Sequence, residues 1–295
     1  MKKMMKKIVC GALTLASVLG CATAFSGCTT SRPEAEIKVS FNGKTYTLEY
    51  TLYRKLAPAT VSHFIALAEK GYYNGMLVHD YDAEKMYTGG YEYKADDVDG
   101  SNELNYFKPY FSTVTSYIPQ TVWATQNGDE KPTDPTYTLY GEFAANGFKV
   151  QNGALRERFG SLTMFYEAKD DCDATVFCKR SDGKNYYNES EYKYNSATSL
   201  FYISISTASA SNNNYCTFAT LDEDSKSTLE SLVDAIEDYI SDNFGDEEDD
   251  KDQFTDSVTV DVGVGDPFVG EDDLTAEYEV PVSPIVIKSV KITKY

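Results

Sequence analysis

Residues 57–90 read APATVSHFIALAEKGYYNGMLVHDYDAEKMYTGG, an order that predicts a helix, a tight turn, a strand and then a glycine pair. Pro58 marks the helix start, because its ring holds φ near the helical value and its missing N–H would go unpaired there anyway. Val61, Phe64, Ile65, Leu67 and Ala68 follow at helical spacing and predict one apolar face. Gly71 is expected to stop the helix. Met76, Leu77 and Val78 then read as a strand, followed by another over residues 86–91.

Upstream, residues 36–41 and 45–53 read as two strands joined by Asn42-Gly43, a pair whose readiness for positive φ makes it a strong hairpin signal. Tyr46, Leu48, Tyr50 and Leu52 alternate with Thr45, Thr47, Glu49 and Thr51, so one face is expected to be buried and the other wet. Downstream, no period persists from residue 92 to 139. That stretch holds Asp96, Asp97, Asp99 and Gly100, then Tyr106, Phe107, Tyr110, Phe111, Tyr117 and Trp123. A structureless loop of that length is unusual in a compact domain, so its aromatics are expected to pack it down. A second amphipathic helix is predicted over about residues 226–242, with Leu229, Leu232, Val233, Ile236 and Ile240 on one face. The acidic run at 246–250 reads as a solvated loop.

With 295 residues and 42% hydrophobic composition the chain can build a sizeable core, as one large domain or two small ones. Its formal charge of −19 argues against a nucleic-acid partner, since phosphate binding relies on clustered Lys and Arg. Lys2, Lys3, Lys6 and Lys7 precede an apolar run over residues 8–25, the pattern of a secretory signal, and no cytoplasmic role is expected. An uncleaved membrane anchor is the other reading of that run. Ser26-Gly27-Cys28 resembles the lipobox of bacterial lipoproteins, with Cys21 as the competing site. The expected division is a signal peptide at 1–27, a tether at 28–34 and a folded domain at 35–295, held on the extracytoplasmic face of a bacterial membrane by a lipid on Cys28. Loss of the four leader lysines takes the charge from −19 to −23.

Cys172 and Cys178 close a short loop and are a possible disulfide outside the cell, whereas Cys216 sits in an apolar strand pattern and reads as a buried thiol. The two histidines, His63 and His79, have no metal-ligand spacing with a cysteine pair. The Asp97–Gly100 stretch has the look of a calcium loop, but Ala95 and Tyr106 occupy its first and closing ligand positions. No metal and no cofactor are expected.

The order of the 57–90 stretch resembles the cyclophilin family of peptidyl-prolyl isomerases, whose members read A-P-x-T-V-x-N-F, then G-Y-Y-x-G, F-H-R and M-x-Q-G-G. Tyr140-Gly141-Glu142-Phe143 with Asn146-Gly147-Phe148 continues the resemblance. Arg158-Phe159-Gly160-Ser161-Leu162-Thr163-Met164 looks like the family's R-G-x-L-S-M strand, and the stretch from Asn195 to Ile203 stands where the family has N-S-A-x-S-Q-F-F-I. The segments at 215–221 and 284–292 resemble two later strands. The resemblance implies a mainly β fold, a closed eight-stranded antiparallel barrel capped by two α-helices, with insertions at about 92–139, 167–194 and 244–283.

The family's chemistry is poorly kept. Rotating an X–Pro bond means crossing a barrier of about 18–20 kcal/mol. A guanidinium that donates to the prolyl nitrogen eases it by drawing the lone pair out of conjugation. In the family an arginine after F-H and a glutamine before G-G fill the polar roles, with Phe, Met and a later Phe lining the pocket. A gapless alignment of F-H-R-V-I-P-G-F-M-x-Q-G-G on residues 78–90 puts Asp80 at the arginine, Lys85 at the pocket phenylalanine, Met86 at the methionine and Thr88 at the glutamine. Downstream, Leu200 stands at a second glutamine, Phe201 is retained, Tyr202 replaces the last pocket phenylalanine and Tyr215 takes the place of a loop histidine. Asp80, Met86, Thr88, Phe201, Tyr202 and Tyr215 are thus the peptide-groove candidates, and no residue is assigned a catalytic role. Arg54, Arg156, Arg158 and Arg180 are the arginines that could substitute.

His79 matches the family's strand histidine and reads as a structural hydrogen-bonder. His63, at the family's helix Asn, reads as partly exposed. The expected function is that of a catalytically weak or inactive member of the family. Its expected partners are extended or Pro-containing segments of exported polypeptides or surface proteins, and a monomer is expected. The rival readings are an active isomerase that assists folding of exported proteins, and an adhesion or glycan-binding module on the same scaffold.

Overall fold

The computed structural model describes residues 31–92, 106–107, 139–143, 155–166, 175–179, 187–191, 196–208, 215–245, 252–263 and 274–295. The leader, Cys28, Cys172, the Asp97–Gly100 stretch and Arg180 lie outside these, as do the side chain of Cys178 and so the possible disulfide.

The chain opens with β1 (Glu34–Phe41) and β2 (Lys44–Leu52), paired in full register from Glu34↔Thr51 to Phe41↔Lys44. Asn42 and Gly43 both have positive φ (45° and 76°), the two-residue turn whose twist matches the strands it joins. Tyr46, Leu48, Tyr50 and Leu52 are buried on one face, as alternation predicts. Helix α1 (Pro58–Glu69) follows, then β3 (Met76–Leu77), β4 (Asp80–Tyr81), β5 (Lys85–Thr88), β6 (Tyr91–Glu92), β7 (Tyr106–Phe107) and β8 (Leu139–Tyr140). Next come β9 (Leu162–Tyr166), β10 (Thr175–Lys179), β11 (Tyr187–Glu191), β12 (Ser196–Ser204) and β13 (Cys216–Leu221). Helix α2 (Lys226–Asn243) precedes β14 (Thr255–Gly263), β15 (Leu274–Pro281) and β16 (Val286–Lys294).

The fold is mainly β: a curled antiparallel sheet that forms a half-barrel, with two helices. Twelve strands make the sheet, in the order β4-β5-β12-β9-β13-β2-β1-β16-β3-β6-β7, with β8 also on β12. The ladders trace a path where a complete cylinder was expected. Its two flanks share one run of chain, residues 76–81: Met76 and Leu77 pair with β16, and Asp80 and Tyr81 pair with β5. Within the regions set apart as insertions, β10 pairs with β11 and β14 with β15, as separate two-stranded ladders, while β7 joins the main sheet through β6.

Helix α1 begins at Pro58 as predicted, and Gly71 (φ 66°) lies just past its end. No side chain of its own caps it. Instead the buried Glu142 carboxylate, 82 residues away in sequence, accepts from the backbone N–H groups of Ala59 (3.0 Å) and Thr60 (2.7 Å). Carboxylate oxygens there satisfy orphan helix donors and face the positive end of the helix dipole. The helix is buried almost all round, and His63 is only 1% exposed, which corrects the expectation of a partly exposed histidine. Ala59, Ala66 and His63 are buried beyond the predicted stripe, while Ser62 and Glu69 stay exposed, so the stripe understated the helix's burial. Helix α2 presents the narrower stripe that was predicted, burying Leu229, Leu232, Ile236 and Ile240.

The core is aromatic at its centre. Phe64 packs 5.1 Å from Tyr73, 5.1 Å from Phe218 and 5.7 Å from Phe201, ring centre to ring centre. Cys216 is buried and in no disulfide, as its strand pattern predicted, its Sγ 3.5 Å from the Thr60 hydroxyl. The tightest backbone approach lies at Gly89 (φ 100°), where a Cβ would stand 2.4 Å from the Ser199 carbonyl oxygen. Gly89→Ala is therefore expected to cost about 3 kcal/mol or more, from left-handed strain plus overlap with backbone that cannot yield. Gly43→Ala, whose Cβ would meet nothing within 4 Å, should cost only about 1 kcal/mol. Urea unfolding of the two variants followed by circular dichroism checks the difference; equal losses would show that the Gly89 approach does not hold the register.

Candidate functional site

Side chains of directly paired antiparallel residues share a face, and neighbours along a strand alternate. One row crosses five strands: Asp80, Tyr87, Tyr202, Thr163 and Thr217 stand opposite one another in turn on β4, β5, β12, β9 and β13. The Thr163 and Thr217 hydroxyls meet at 3.0 Å, consistent with that shared face. The two adjoining rows turn the other way. Thr88, Phe201, Met164 and Cys216 form one, and Met86, Ile203 and Leu162 lie in the other, with their apolar members in the core cluster.

This parity sorts the groove candidates. Asp80, Tyr202 and Tyr215 come together: Tyr202 is paired through Tyr87 to Asp80, and its ring lies edge-on to Tyr215 at 6.2 Å. Met86, Thr88 and Phe201 do not join them. Met86 and Phe201 are fully buried in the core, and the Thr88 hydroxyl donates to the Leu77 carbonyl at 2.8 Å. On the face that carries Asp80 and Tyr202, β5 presents Lys85 and Tyr87 and not Met86 and Thr88, because a strand's side-chain period is two and a one-residue offset exchanges its faces. Alternation was a usable signal here: in Lys85-Met86-Tyr87-Thr88 the purely apolar residue is the one that belongs inside.

The exterior row carries an aromatic cluster. The Tyr87 and Tyr202 ring centres are 5.4 Å apart, and the Lys85 ammonium sits 5.3 Å over the Tyr202 ring. Tyr202 Oη donates to the Glu157 carboxylate at 2.8 Å. Burial first, then the Glu157 charge, pushes the Tyr202 phenol far up, so it remains a protonated donor. Tyr87 is raised by burial and by the carboxylates of Asp82, Asp80 and Glu157. The Asp80 carboxyl is raised by burial, then by Asp82, with a smaller contribution from Glu279 on β15.

Asp82 shapes the reversal between β4 and β5, its Oδ1 accepting from the N–H groups of Glu84 and Lys85, both at 2.7 Å. Sequence reasoning missed Tyr87, Glu157, Thr163 and Thr217. Of the arginines, Arg156 and Arg158 flank Glu157 and are exposed, and Arg54 lies in the turn after β2. Among the described residues no group of three or more His, Cys, Asp or Glu is placed to hold a metal.

His79 lies beneath the site, 5% exposed, its ring edge-on to Tyr91 at 5.1 Å. Burial pushes its pKa down to about 3, so the imidazole is neutral at physiological pH and is not poised for acid–base work. The arrangement as a whole offers a cluster of mutually inclined rings, half-buried at Tyr87 and Tyr215 and buried at Tyr202, edged by the acceptor-only carboxylates of Asp80 and Glu157.

A model of the family described as cyclophilin type peptidyl-prolyl cis-trans isomerase/CLD matches residues 37–261, well over half of the 295. No curated protein matches the chain. Among solved structures, a cyclophilin type peptidyl-prolyl cis-trans isomerase of Cryptosporidium parvum is similar at 15% identity and a TM-score of 0.42, over 90% of this chain and 99% of that one. The same protein in the presence of the dipeptide Ala-Pro is similar at 16% identity and a TM-score of 0.40, over 89% of this chain and 99% of that one.

The buried neutral histidine has a measurable consequence. Its folded pKa lies below the ordinary 6.5, so the unfolded chain takes up the proton first, and stability present above pH 6.5 is lost as pH falls from there toward about 3. His79→Phe keeps a ring against Tyr91 and removes the titration. Between pH 6.5 and about pH 4 the wild type should lose about 3 kcal/mol more than the variant. Urea midpoints measured across that range decide it, and parallel curves would rule the effect out.

Proposed function

The chain belongs to the cyclophilin-type peptidyl-prolyl cis-trans isomerase family, and on that premise we propose that it is a lipid-anchored, extracytoplasmic member that binds extended or Pro-containing segments of exported polypeptides and isomerises them weakly or not at all. The observation that carries this reading is the row itself, in which Asp80, at the position that the sequence resemblance aligns with the family's arginine, is paired to Tyr87 and through it to Tyr202. Loss of one preorganised donor to a transition state costs about a hundredfold to a thousandfold in rate. An anionic acceptor in its place cannot pull the prolyl lone pair out of conjugation.

Binding needs less than catalysis does. A prolyl ring or aliphatic side chain can lie against the half-exposed rings of Tyr87 and Tyr215, since tyrosine combines a large apolar face with a polar tip and loses little side-chain entropy. The buried, protonated Tyr202 held by Glu157 gives that surface a rigid centre. The lysine-led apolar leader and the Ser26-Gly27-Cys28 sequence support placement outside the cytoplasm on a lipid anchor.

In a protease-coupled proline-peptide assay, acceleration by the full chain is expected to be at least about a hundredfold below that of a relative with arginine at this position, and Asp80→Arg should raise it. Calorimetric titration with the same peptide should show binding that Tyr87→Ala weakens without altering cooperative unfolding. Full isomerase activity in the wild type would overturn the weak-catalyst reading. Absence of peptide binding would overturn the groove reading.

A further inference from the structure

We propose that the groove selects polypeptide segments that carry a lysine or arginine beside the docked residue, an inference that rests on the peptide-binding reading above and names its substrate class. Three observations converge on it. First, carboxylates edge the aromatic row. Asp80 stands on the row itself, Asp82 is exposed on the reversal next to it, Glu157 holds Tyr202, and Glu279 approaches Asp80 from β15. Among the described residues the Lys85 ammonium is seated over the Tyr202 ring, with these carboxylates around the row. Arg156 and Arg158, on either side of Glu157, are exposed to solvent, where screening weakens them.

Second, the aromatic surface already receives a cation: the Lys85 ammonium lies 5.3 Å over the Tyr202 ring. A lysine head on a flexible four-carbon stem is a replaceable occupant, and half-burial at a reversal leaves Lys85 room to swing out. A basic side chain of a bound segment can take the same seat and keep the same attraction to the ring quadrupole.

Third, the floor beside that seat holds an unused polar group. Ser204 pairs with Lys85 and lies two residues from Tyr202, which places it on the same face of β12. Its hydroxyl is buried, the residue being 1% exposed, and has no hydrogen-bond partner among the described residues. Buried polar groups are otherwise paired. A donor-only head group such as ammonium or guanidinium satisfies a hydroxyl acceptor while it is drawn to the carboxylates.

An acidic segment, by contrast, meets like charge at every edge, so the groove discriminates by repulsion as well as attraction. Anisotropy titration of the full chain with three labelled peptides tests this, each with the same proline centre flanked by lysine and arginine, by alanine, or by glutamate. The basic peptide is expected to bind about tenfold tighter than the alanine peptide or better, and the glutamate peptide weakest. The series should flatten in about 1 M salt, where screening is nearly complete, and the preference for the basic over the glutamate peptide should narrow in the Asp80→Asn variant. Equal affinities for the three, or tightest binding of the glutamate peptide, would overturn the charge selection while the groove reading stands. No binding of any peptide would overturn both.

Discussion

The contact between the backbones of Gly89 and Ser199 sets the register on which the site depends. With φ at 100° and no room for a Cβ, Gly89 lets the end of β5 close onto β12. Hydroxyls then tie the contact down: Ser199 Oγ donates to the Gly89 carbonyl at 2.7 Å, Tyr72 donates to the same carbonyl at 3.1 Å, and Tyr73 reaches the Ser199 carbonyl at 3.4 Å. Tyr72 and Tyr73 sit in the turn that follows α1, so the helix end, β5 and β12 are held as one unit. Slippage by one residue would carry Met86 and Phe201 outward and Tyr87 and Tyr202 inward, and core packing around Phe64 forbids it.

With register held from the inside, the row on the other face is freest at its open end. Asp80 and Tyr87 are half-buried there, so a change of charge or shape at those two positions disturbs packing least, whereas Tyr202, Thr163 and Thr217 are buried. The interior polar groups have no such freedom. Glu142 is 1% exposed, and burial raises its pKa against the opposing pull of the Ala59 and Thr60 N–H groups and the Thr60 hydroxyl. A carboxylate is tolerated in the core because the open end of a helix supplies its partners. Scaffold and site thus answer to different constraints: close packing and satisfied donors inside, electrostatic complementarity outside.

Much of the scaffold was legible in the chain. Asn42-Gly43 and the alternation of Tyr46, Leu48, Tyr50 and Leu52 placed the first hairpin, because turn chemistry and strand period are local properties. Pro58 and Gly71 bounded α1 for the same reason, and Cys216 read correctly as a buried thiol. His63 was misjudged, since a helix's apolar stripe says which face is buried but not whether neighbouring elements cover the others. The helix cap was hidden as well: Glu142 lies 82 residues from Thr60, and nothing local links them.

The candidate site divides the same way. The grouping of Asp80, Tyr202 and Tyr215 was legible from the family resemblance, because chemical identity and order along the chain carry it. Alternation around the apolar Met86 hinted at which of Lys85, Met86, Tyr87 and Thr88 face them, but tertiary structure fixed it. Side-chain direction in a short strand is set by its pairing partners, and here those partners are fixed by a backbone contact and a ring cluster distant in sequence.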